Sequence, residues 1–302
     1  MRLLVRTMPL LWALAVVPVA GAQETAPLVL RIPAGARAAA LGDAFAAGRG
    51  SEMVFYHPAQ IGLTTGLSVS TGRFRSGGTF ASLATSGTVG PVAIAAGVQW
   101  LDYGSDPGTF PTPPGDLTLP GETSQSLAAT AAGAVRFKGL RWGVAVKYVE
   151  ERLPGARPRG AAFDVGVARE VGRYPVALAV QNLGGHLEDE GTSAALPRRL
   201  VLGAATPRWP IHTWFDLAAT AALAWEREDR LVPAGGIELT WVPLDGFAAA
   251  LRVGARRVEG GPRTRRPVTA GAGFTFDRFS LDYAYEGYSG PGGAHRLGIR
   301  IQ

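Results

Sequence analysis

The histidines are the residues of this chain whose side chains could bind a metal or act as a general base. They are isolated from one another, at His57, His186, His212 and His295, and none belongs to an H-E-x-x-H pair. The sequence also contains neither a G-x-S-x-G elbow nor a G-x-x-x-x-G-K-S/T phosphate loop. We therefore expect no catalytic residue, no metal site and no cofactor, and hence no enzyme.

Charged side chains recur singly on one face of segments that otherwise place glycine, alanine and threonine on that face. Both signs occur, so we expect ion pairs within an enclosed space, where an unpaired charge is costly. The formal net charge is +6, but the basic residues are scattered along the chain. A nucleic-acid-binding surface needs a basic stripe with interleaved aromatic residues. The candidate lumen residues on this face are Arg141, Asp216, Glu238, Arg252, Asp282 and Glu286.

The segments that carry these charges alternate in polarity from residue 67 onward. In LRWGVAVKY (residues 140–148), large apolar residues alternate with small or charged ones. Such alternation predicts strands whose two faces meet different environments. About fourteen segments follow this pattern, and an even number is typical of bacterial outer-membrane barrels. They are 66–75, 78–89, 91–103, 122–137, 140–151, 159–170, 174–183, 196–206, 211–225, 231–242, 246–257, 265–277, 278–287 and 293–302.

The connections between these segments differ in length in a regular order. Every second connection is a tight turn, such as 138–139 or 277–278, whereas long loops such as 104–121 and 184–195 fall on the other set. Long loops at one end and turns at the other are typical of outer-membrane barrels, with the turns on the periplasmic side. A soluble β-sandwich, which is the alternative, has no reason to sort its loops in this way.

Composition agrees with a membrane barrel. Hydrophobic residues make up 47% of the chain and the mean hydropathy is +0.12, yet no long apolar block follows residue 23. The chain has no cysteine, so no disulfide can stabilise it. Aromatic residues such as Trp142, Trp241 and Tyr283 lie on the apolar face near strand ends, where amphipathic rings favour the membrane interface. The sequence predicts an all-β, transmembrane antiparallel barrel formed by residues 65–302.

Residues 1–64 differ from the rest. Residues 1–22 have the basic start, short apolar core and small-residue end of a signal peptide, which predicts export to the cell outer membrane; an uncleaved anchor is the alternative. Residues 23–64 hold the strongest helical pattern, which predicts one short helix within 36–47. We expect this block to be a hatch inside the barrel, and the alternative is a periplasmic tail that binds a partner. Its candidate residues are Arg37, Asp43, Phe45, Phe55, Tyr56, His57 and Pro58.

Glycines on the charged face predict where the hatch and the wall approach each other. They leave space for a plug, although glycine also relieves strain where a barrel curves. The predicted positions are Gly97, Gly143, Gly254, Gly271, Gly273 and Gly298.

Three stretches resemble the PorV/PorQ family of outer-membrane proteins, which belongs with the FadL-type barrels. The first is GARAAALGDAF (residues 35–45), followed by YHPA (residues 56–59). The second is LAVQNLGG (178–185) with LPRRLVLG (196–203), and the third is LDYAY (281–285) with HRLG (295–298). The chain departs from the family pattern at His57 and Gln60, and its last strand ends without the usual aromatic residue.

The resemblance implies a fourteen-stranded barrel with an N-terminal hatch, and it implies two alternative functions. One is a component of protein secretion or cell-surface attachment of the type IX kind, with secretion-system proteins as partners. The other is a FadL-like channel that passes a small hydrophobic ligand through the outer membrane. In either case the surrounding partner is outer-membrane lipid.

Overall fold

The computed structural model describes residues 27–74, 77–104, 124–189, 192–226, 230–257, 268–287 and 293–302. These residues form one antiparallel sheet of seventeen strands. The strands are β1 (Gly66–Phe74), β2 (Thr79–Val89), β3 (Val92–Asp102), β4 (Gln125–Phe137), β5 (Leu140–Arg152), β6 (Arg159–Val171), β7 (Tyr174–Leu183), β8 (His186–Asp189), β9 (Thr192–Ala195), β10 (Arg199–Ala205), β11 (Trp209–His212), β12 (Phe215–Glu226), β13 (Arg230–Leu244), β14 (Phe247–Arg256), β15 (Val268–Phe276), β16 (Phe279–Gly287) and β17 (Gly293–Ile301).

Fourteen of these strands close into a barrel, which confirms the predicted fold class. The first strand completes the ring because β1 pairs with β2 on one side and with β17 on the other, where Leu67 lies opposite Ile301. Closure leaves no open sheet edge. A membrane-spanning sheet requires such closure because lipid cannot satisfy unpaired backbone groups.

The three remaining strands lie in connections and were not predicted. The segments β8 and β9 form a hairpin between β7 and β10, which pair directly with each other. The short β11 folds back on β12, with Trp209 opposite Leu217, so the strand predicted to start at residue 211 begins at Phe215.

The two ends of the barrel differ as the connections predicted. Tight turns join β2 to β3, β4 to β5, β6 to β7, β13 to β14 and β15 to β16, and they share the end at which Gly66 and Gln302 lie. At one of them Lys138 and Gly139 both have positive φ, at 49° and 77°, as a two-residue hairpin turn of type I′ requires. We call this the turn end and the opposite one the long-loop end. Most of the predicted loop 104–121 lies outside the described residues.

The outer face of the barrel is apolar, and the inner face holds small and charged residues. Along β5, Trp142, Val144 and Val146 are exposed while Gly143 and Ala145 are buried. The predicted aromatic residues also point outward, for example Trp241 on β13 and Phe276 on β15. A belt of exposed large apolar side chains around a closed barrel is the surface that lipid covers.

In the described part of the chain, no helix is both long and apolar enough to cross a membrane.

Residues 27–64 form a hatch that lies inside the barrel. It contains a 3-10 turn (Leu28–Leu30), α1 (Ala36–Ala40), α2 (Met53–Tyr56) and a second 3-10 turn (Pro58–Gln60). Valine, methionine and alanine side chains of the hatch are fully buried, as at Val29 and Met53. The predicted signal peptide and residues 23–26 lie outside the described residues.

The helix expected within residues 36–47 is shorter than predicted. It ends at Ala40 because Gly42 and Asp43 adopt φ values of 67° and 64°, a left-handed conformation that an α-helix cannot include. The short α2 was not predicted because the four residues MVFY have no helical repeat of their own.

Because the outer face contacts lipid, we expect the loss of folding free energy caused by a charged substitution there to depend on its depth in the membrane. Ile237 lies at the middle of β13 and Leu244 lies at its turn end, and both are exposed. We expect Ile237→Arg to destabilise the barrel by about 2–4 kcal/mol and Leu244→Arg by only about 0–1 kcal/mol. Folding into lipid vesicles, followed by heat-modifiable gel migration, measures the difference. Equal costs at the two positions would contradict a membrane-embedded outer face.

Candidate functional site in the barrel lumen

Glycines of the inner wall let the hatch backbone approach the strands closely. A Cβ added to Gly254 would lie 2.3 Å from the backbone nitrogen of Gly42, and one added to Gly143 would lie 2.3 Å from that of Ala59. No real Cβ atom tolerates such distances, so these positions are restricted to glycine. Eight wall glycines, on eight different strands, contact the hatch: Gly97, Gly143, Gly166, Gly203, Gly236, Gly254, Gly271 and Gly298. Gly97 and Gly166 meet the side chains of Phe55 and His57, and a Cβ at Gly298 would lie 3.1 Å from that of Ala36, a contact that a small shift can relieve.

The predicted glycine contacts are mostly observed. Gly273 differs, since a Cβ there would meet the side chains of Asp282 and Arg252 rather than the hatch. Gly166, Gly203 and Gly236 were missed because glycine and alanine are equally common on this face, and the sequence does not show which of them the hatch contacts.

A chain of ion pairs joins the hatch to β13, β14, β16 and β17. Arg37 of α1 donates to both carboxylate oxygens of Glu238, at 3.2 and 3.1 Å. Arg252 bridges Glu238 and Asp282, and Arg300 donates to Asp282 at 2.9 Å. All four wall residues are buried. Removing one partner would leave an uncompensated buried charge. We therefore expect these ion pairs to fix the position of the hatch more than they increase the free energy of unfolding.

A second chain of ion pairs begins at Asp43, just after α1. Arg256 reaches Asp43 at 3.3 Å and Glu286 at 3.1 Å, and Arg296 approaches Glu286 at 3.3 Å. The Arg296 guanidinium also lies 4.7 Å from the centroid of the Phe80 ring, a cation–π distance. This second chain therefore links the hatch to both the charged and the aromatic parts of the wall.

Polar side chains of the wall satisfy backbone groups of the hatch. Gln99 donates to the Val29 carbonyl at 3.2 Å, and Gln181 donates to the Tyr56 carbonyl at 2.6 Å. Thr269 accepts from the Gly42 amide at 3.1 Å and donates to a carbonyl of α1. These side chains replace the hydrogen bonds that the irregular hatch cannot make within itself. They were not among the predicted site residues, although their signal is visible as isolated polar residues on the inner face.

The aromatic residues of the hatch pack inside it. The Phe45 and Tyr56 rings meet edge to face with centroids 5.4 Å apart, and the Tyr56 hydroxyl accepts from the Ala34 amide at 2.7 Å. Phe55 lies against Gly97 of β3. These three side chains, predicted as hatch or ligand contacts, are buried and hold the hatch together.

His57 and Pro58 lie near the turn end. The His57 ring is buried against Gly166, and its Nδ1 accepts from the Ala59 amide at 3.2 Å. Burial disfavours the charged ring and lowers the pKa of His57 to about 4. The second 3-10 turn then meets the wall at Arg141, which donates to the Gln60 side chain at 2.8 Å.

Asp216 does not join either chain of ion pairs. It is half-buried on β12 opposite Pro210, and it forms no ion pair with another described residue. Its place near the turn end separates it from the lumen residues with which the sequence grouped it.

The long-loop half of the lumen is apolar where β2, β3, β5 and the β8–β9 hairpin face inward. Phe80, Leu101, Val149 and Leu187 are fully buried there, and Val29 of the first 3-10 turn packs among them. The lumen thus has a wall rich in charge on β13–β17. The opposite side is apolar toward the long-loop end, apart from Glu151 and the buried Lys147–Asp164 ion pair of β5 and β6. Within the described residues, no cluster of His, Asp or Glu is arranged to hold a metal ion.

Comparison with known proteins identifies the fold. No protein-family model and no curated protein matches the sequence. A TodX monoaromatic hydrocarbon channel (ΔS2 mutant) matches with a TM-score of 0.56 at 10% identity, over 88% of this chain and 97% of that chain. The monoaromatic hydrocarbon channel CymD matches with 0.54 at 11%, over 83% and 91%. The P. putida toluene transporter TodX matches with 0.51 at 12%, over 83% and 92%.

The chain therefore shares the barrel fold of these solved structures. At these identities the likeness concerns the fold, and the PorV/PorQ resemblance stays a prediction.

The glycine contacts predict that one methyl group can unseat the hatch. In Gly143→Ala the new Cβ meets the Ala59 backbone, whereas in Gly133→Ala it meets nothing nearer than 4.0 Å. We expect the first variant to conduct ions in planar lipid bilayers and the second to stay as closed as the unchanged protein. Equal, low conductance in both variants would show that the contact does not hold the hatch.

The buried neutral His57 predicts that the hatch loosens on acidification. Its pKa is lower in the folded protein than the usual value near 6.5, so its contribution is complete above that value and is lost as the pH falls toward 4. The full loss is about 3 kcal/mol, because the pKa is lowered by about 2.5 and each unit corresponds to 1.36 kcal/mol. Limited proteolysis of the hatch between pH 7 and 4 measures the effect. The His57→Asn variant, which does not titrate, should lack the pH dependence; an unchanged profile in that variant would contradict it.

Proposed function

We propose that this protein is an outer-membrane channel for small hydrophobic molecules. The observation that carries the proposal is the apolar inner face at the long-loop end, around Phe80, Leu101 and Val149. Porins that pass polar solutes have polar, water-filled lumens. An enclosed site lined by apolar and aromatic side chains favours an apolar ligand.

The location in the outer membrane is part of the same proposal. The exposed apolar belt, the closed ladder and the sorted connections support insertion in a lipid bilayer, with the turns on the periplasmic side. Export by a signal peptide at residues 1–22 rests on the sequence pattern alone. The proposal assigns no catalytic step to any residue.

The hatch gives such a channel a closed resting state. It contacts glycines on eight strands around the ring, and two chains of ion pairs anchor it at Arg37 and Asp43. Passage through the lumen then requires the hatch to move, and the anchoring ion pairs set the cost of that movement.

The named substrates of the similar structures give the first compounds to test. TodX and CymD are described as monoaromatic hydrocarbon channels, and the P. putida TodX as a toluene transporter. We expect bacteria that produce this protein in the outer membrane to take up radiolabelled toluene faster than cells with an empty vector. A polar solute of similar size, such as glycerol, should enter both cell types at the same rate. Equal toluene uptake would contradict the channel proposal.

A role in protein secretion is a second proposal, which the PorV/PorQ resemblance alone supports. It implies protein partners at the loops 104–121 and 184–195. Cross-linking in intact cells followed by mass spectrometry tests it, because secretion-system proteins should be captured at those loops. Capture of none of them, together with toluene uptake, would reject secretion in favour of the channel.

A further inference from the structure

One buried carboxylate of the barrel wall has no counter-charge among the residues that the structure describes. Glu151, on the inner face of β5, is only 3% exposed, and no cation of the described residues forms an ion pair with it. The other buried wall carboxylates differ in this respect. Asp164 pairs with Lys147 at 2.7 Å, and Glu238, Asp282 and Glu286 each pair with arginine. Among the buried carboxylates of the described wall strands, Glu151 is thus the one without an ion pair.

Two hydroxyl groups contact this carboxylate, one from Tyr103, which directly follows β3, and one from Ser126 on β4. The Tyr103 hydroxyl donates to Oε1 of Glu151 at 2.9 Å, and the Ser126 hydroxyl donates to the same oxygen at 3.4 Å. Oε2 accepts no hydrogen bond from another described side chain or backbone group. We call Tyr103, Ser126 and Glu151 the Glu151 triad. Its second carboxylate oxygen is available to a donor that the described residues do not supply.

Apolar side chains surround the triad. Along their own strands, Leu101 precedes Tyr103 on the inner face, Ala128 follows Ser126 and Val149 precedes Glu151, and all three are fully buried. Burying a carboxylate in such surroundings is costly unless hydrogen bonds compensate for the lost water. A donor that reaches Oε2 would reduce that cost, and it would do so at the long-loop end, where a molecule from outside the cell arrives.

From this geometry we infer that the Glu151 triad binds the hydroxyl group of a small phenol. The inference rests on the proposed channel function and names the class of its substrate. The ring of the phenol packs on Leu101, Val149 and Phe80, while its hydroxyl donates to Oε2 of Glu151. A phenolic hydroxyl, with a pKa of about 10 as in tyrosine, is a stronger donor than an aliphatic alcohol. An apolar ring with one such donor matches both parts of the site.

The first 3-10 turn of the hatch now fills the apolar part of this site. Val29 is fully buried in the same cluster as Leu101 and Val149, and Leu28 and Leu30 pack beside it. The ring of the ligand therefore takes the place of these aliphatic side chains. Binding of a phenol and occupancy by the turn exclude each other.

The test compares two ligands that differ by one hydroxyl group. Binding of p-cresol and toluene to the purified full-length protein in detergent is measured by equilibrium dialysis. A site built to bind a hydroxyl discriminates against the analogue without it. We expect p-cresol to bind at least about tenfold more tightly than toluene, the effect of one hydrogen bond to a charged acceptor.

Three variants locate the preference at the triad. Glu151→Leu should abolish it, and Glu151→Gln, which keeps one acceptor oxygen, should reduce it severalfold. Glu150→Gln is the matched control, because the neighbouring Glu150 lies on the opposite face of β5 and contacts Tyr148 and Arg152. It should leave both affinities unchanged. If Glu151→Leu does not assemble, as judged by heat-modifiable migration, the glutamine variant decides.

The outcomes separate this inference from the channel proposal. Toluene binding as tightly as p-cresol, or a p-cresol preference that survives at Glu151→Leu, would overturn the phenol site while cellular toluene uptake still supports a channel. Absence of binding by both compounds together with absence of uptake would overturn the channel and the site.

Discussion

A segment of about forty residues cannot bury its own apolar side chains, and this constraint shapes the interior of the barrel. Val29, Met53 and Val54 of the hatch are fully buried, although the hatch has only two short helices with which to cover them. The wall supplies the missing surface. Glycines allow the hatch backbone to touch the strands, glutamine and threonine satisfy its backbone groups, and glutamate and arginine pair with Arg37 and Asp43 of the hatch.

The same constraint explains why the lumen has two unlike walls. Charge gathers on β13–β17, where Arg37 and Asp43 need partners, and mixed signs there keep each charge compensated. The opposite wall faces no charged residue of α1; it contains the buried Lys147–Asp164 pair but is otherwise mainly apolar toward the long-loop end. An apolar entrance above an electrostatically anchored hatch agrees with the proposed passage of hydrophobic molecules. Glu151 is the polar group that stands apart from this division, which is why it is the best candidate for contact with a ligand.

Much of the architecture could be predicted from the sequence. Alternation of large and small residues gives the strands and their facing, since a period of two has only one meaning in an extended chain. The inward position of Glu238, Arg252, Asp282 and Glu286 follows from that phase. The pairing of Arg37 with Glu238 does not, because partners two hundred positions apart depend on how the hatch is oriented inside the ring.

The remaining errors have local physical causes. The helix that begins at residue 36 is shorter than predicted. Gly42 and Asp43 adopt left-handed backbone conformations where the hatch passes the wall at Ala255. The β8–β9 hairpin was missed because its four-residue strands are too short to show alternation. The sequence grouped Asp216 with the lumen charges because the alternation places it on the inner face. Its position along the barrel axis cannot be read from the sequence. The Glu151 triad unites residues of β4, β5 and the connection after β3, and only the barrel brings them together.

The central claim is that the hatch closes the lumen and must move for a molecule to pass, and a reversible covalent lock tests it most directly. The chain contains no cysteine, so Ala36→Cys with Gly298→Cys introduces a single pair of thiols. A Cβ at Gly298 lies 3.1 Å from that of Ala36, within a few tenths of an ångström of disulfide geometry. Toluene uptake by cells is measured with the pair oxidised and then reduced, and each single-cysteine variant serves as control. The account predicts that oxidation stops uptake and reduction restores it. Uptake at the same rate with the hatch locked to the wall would contradict it.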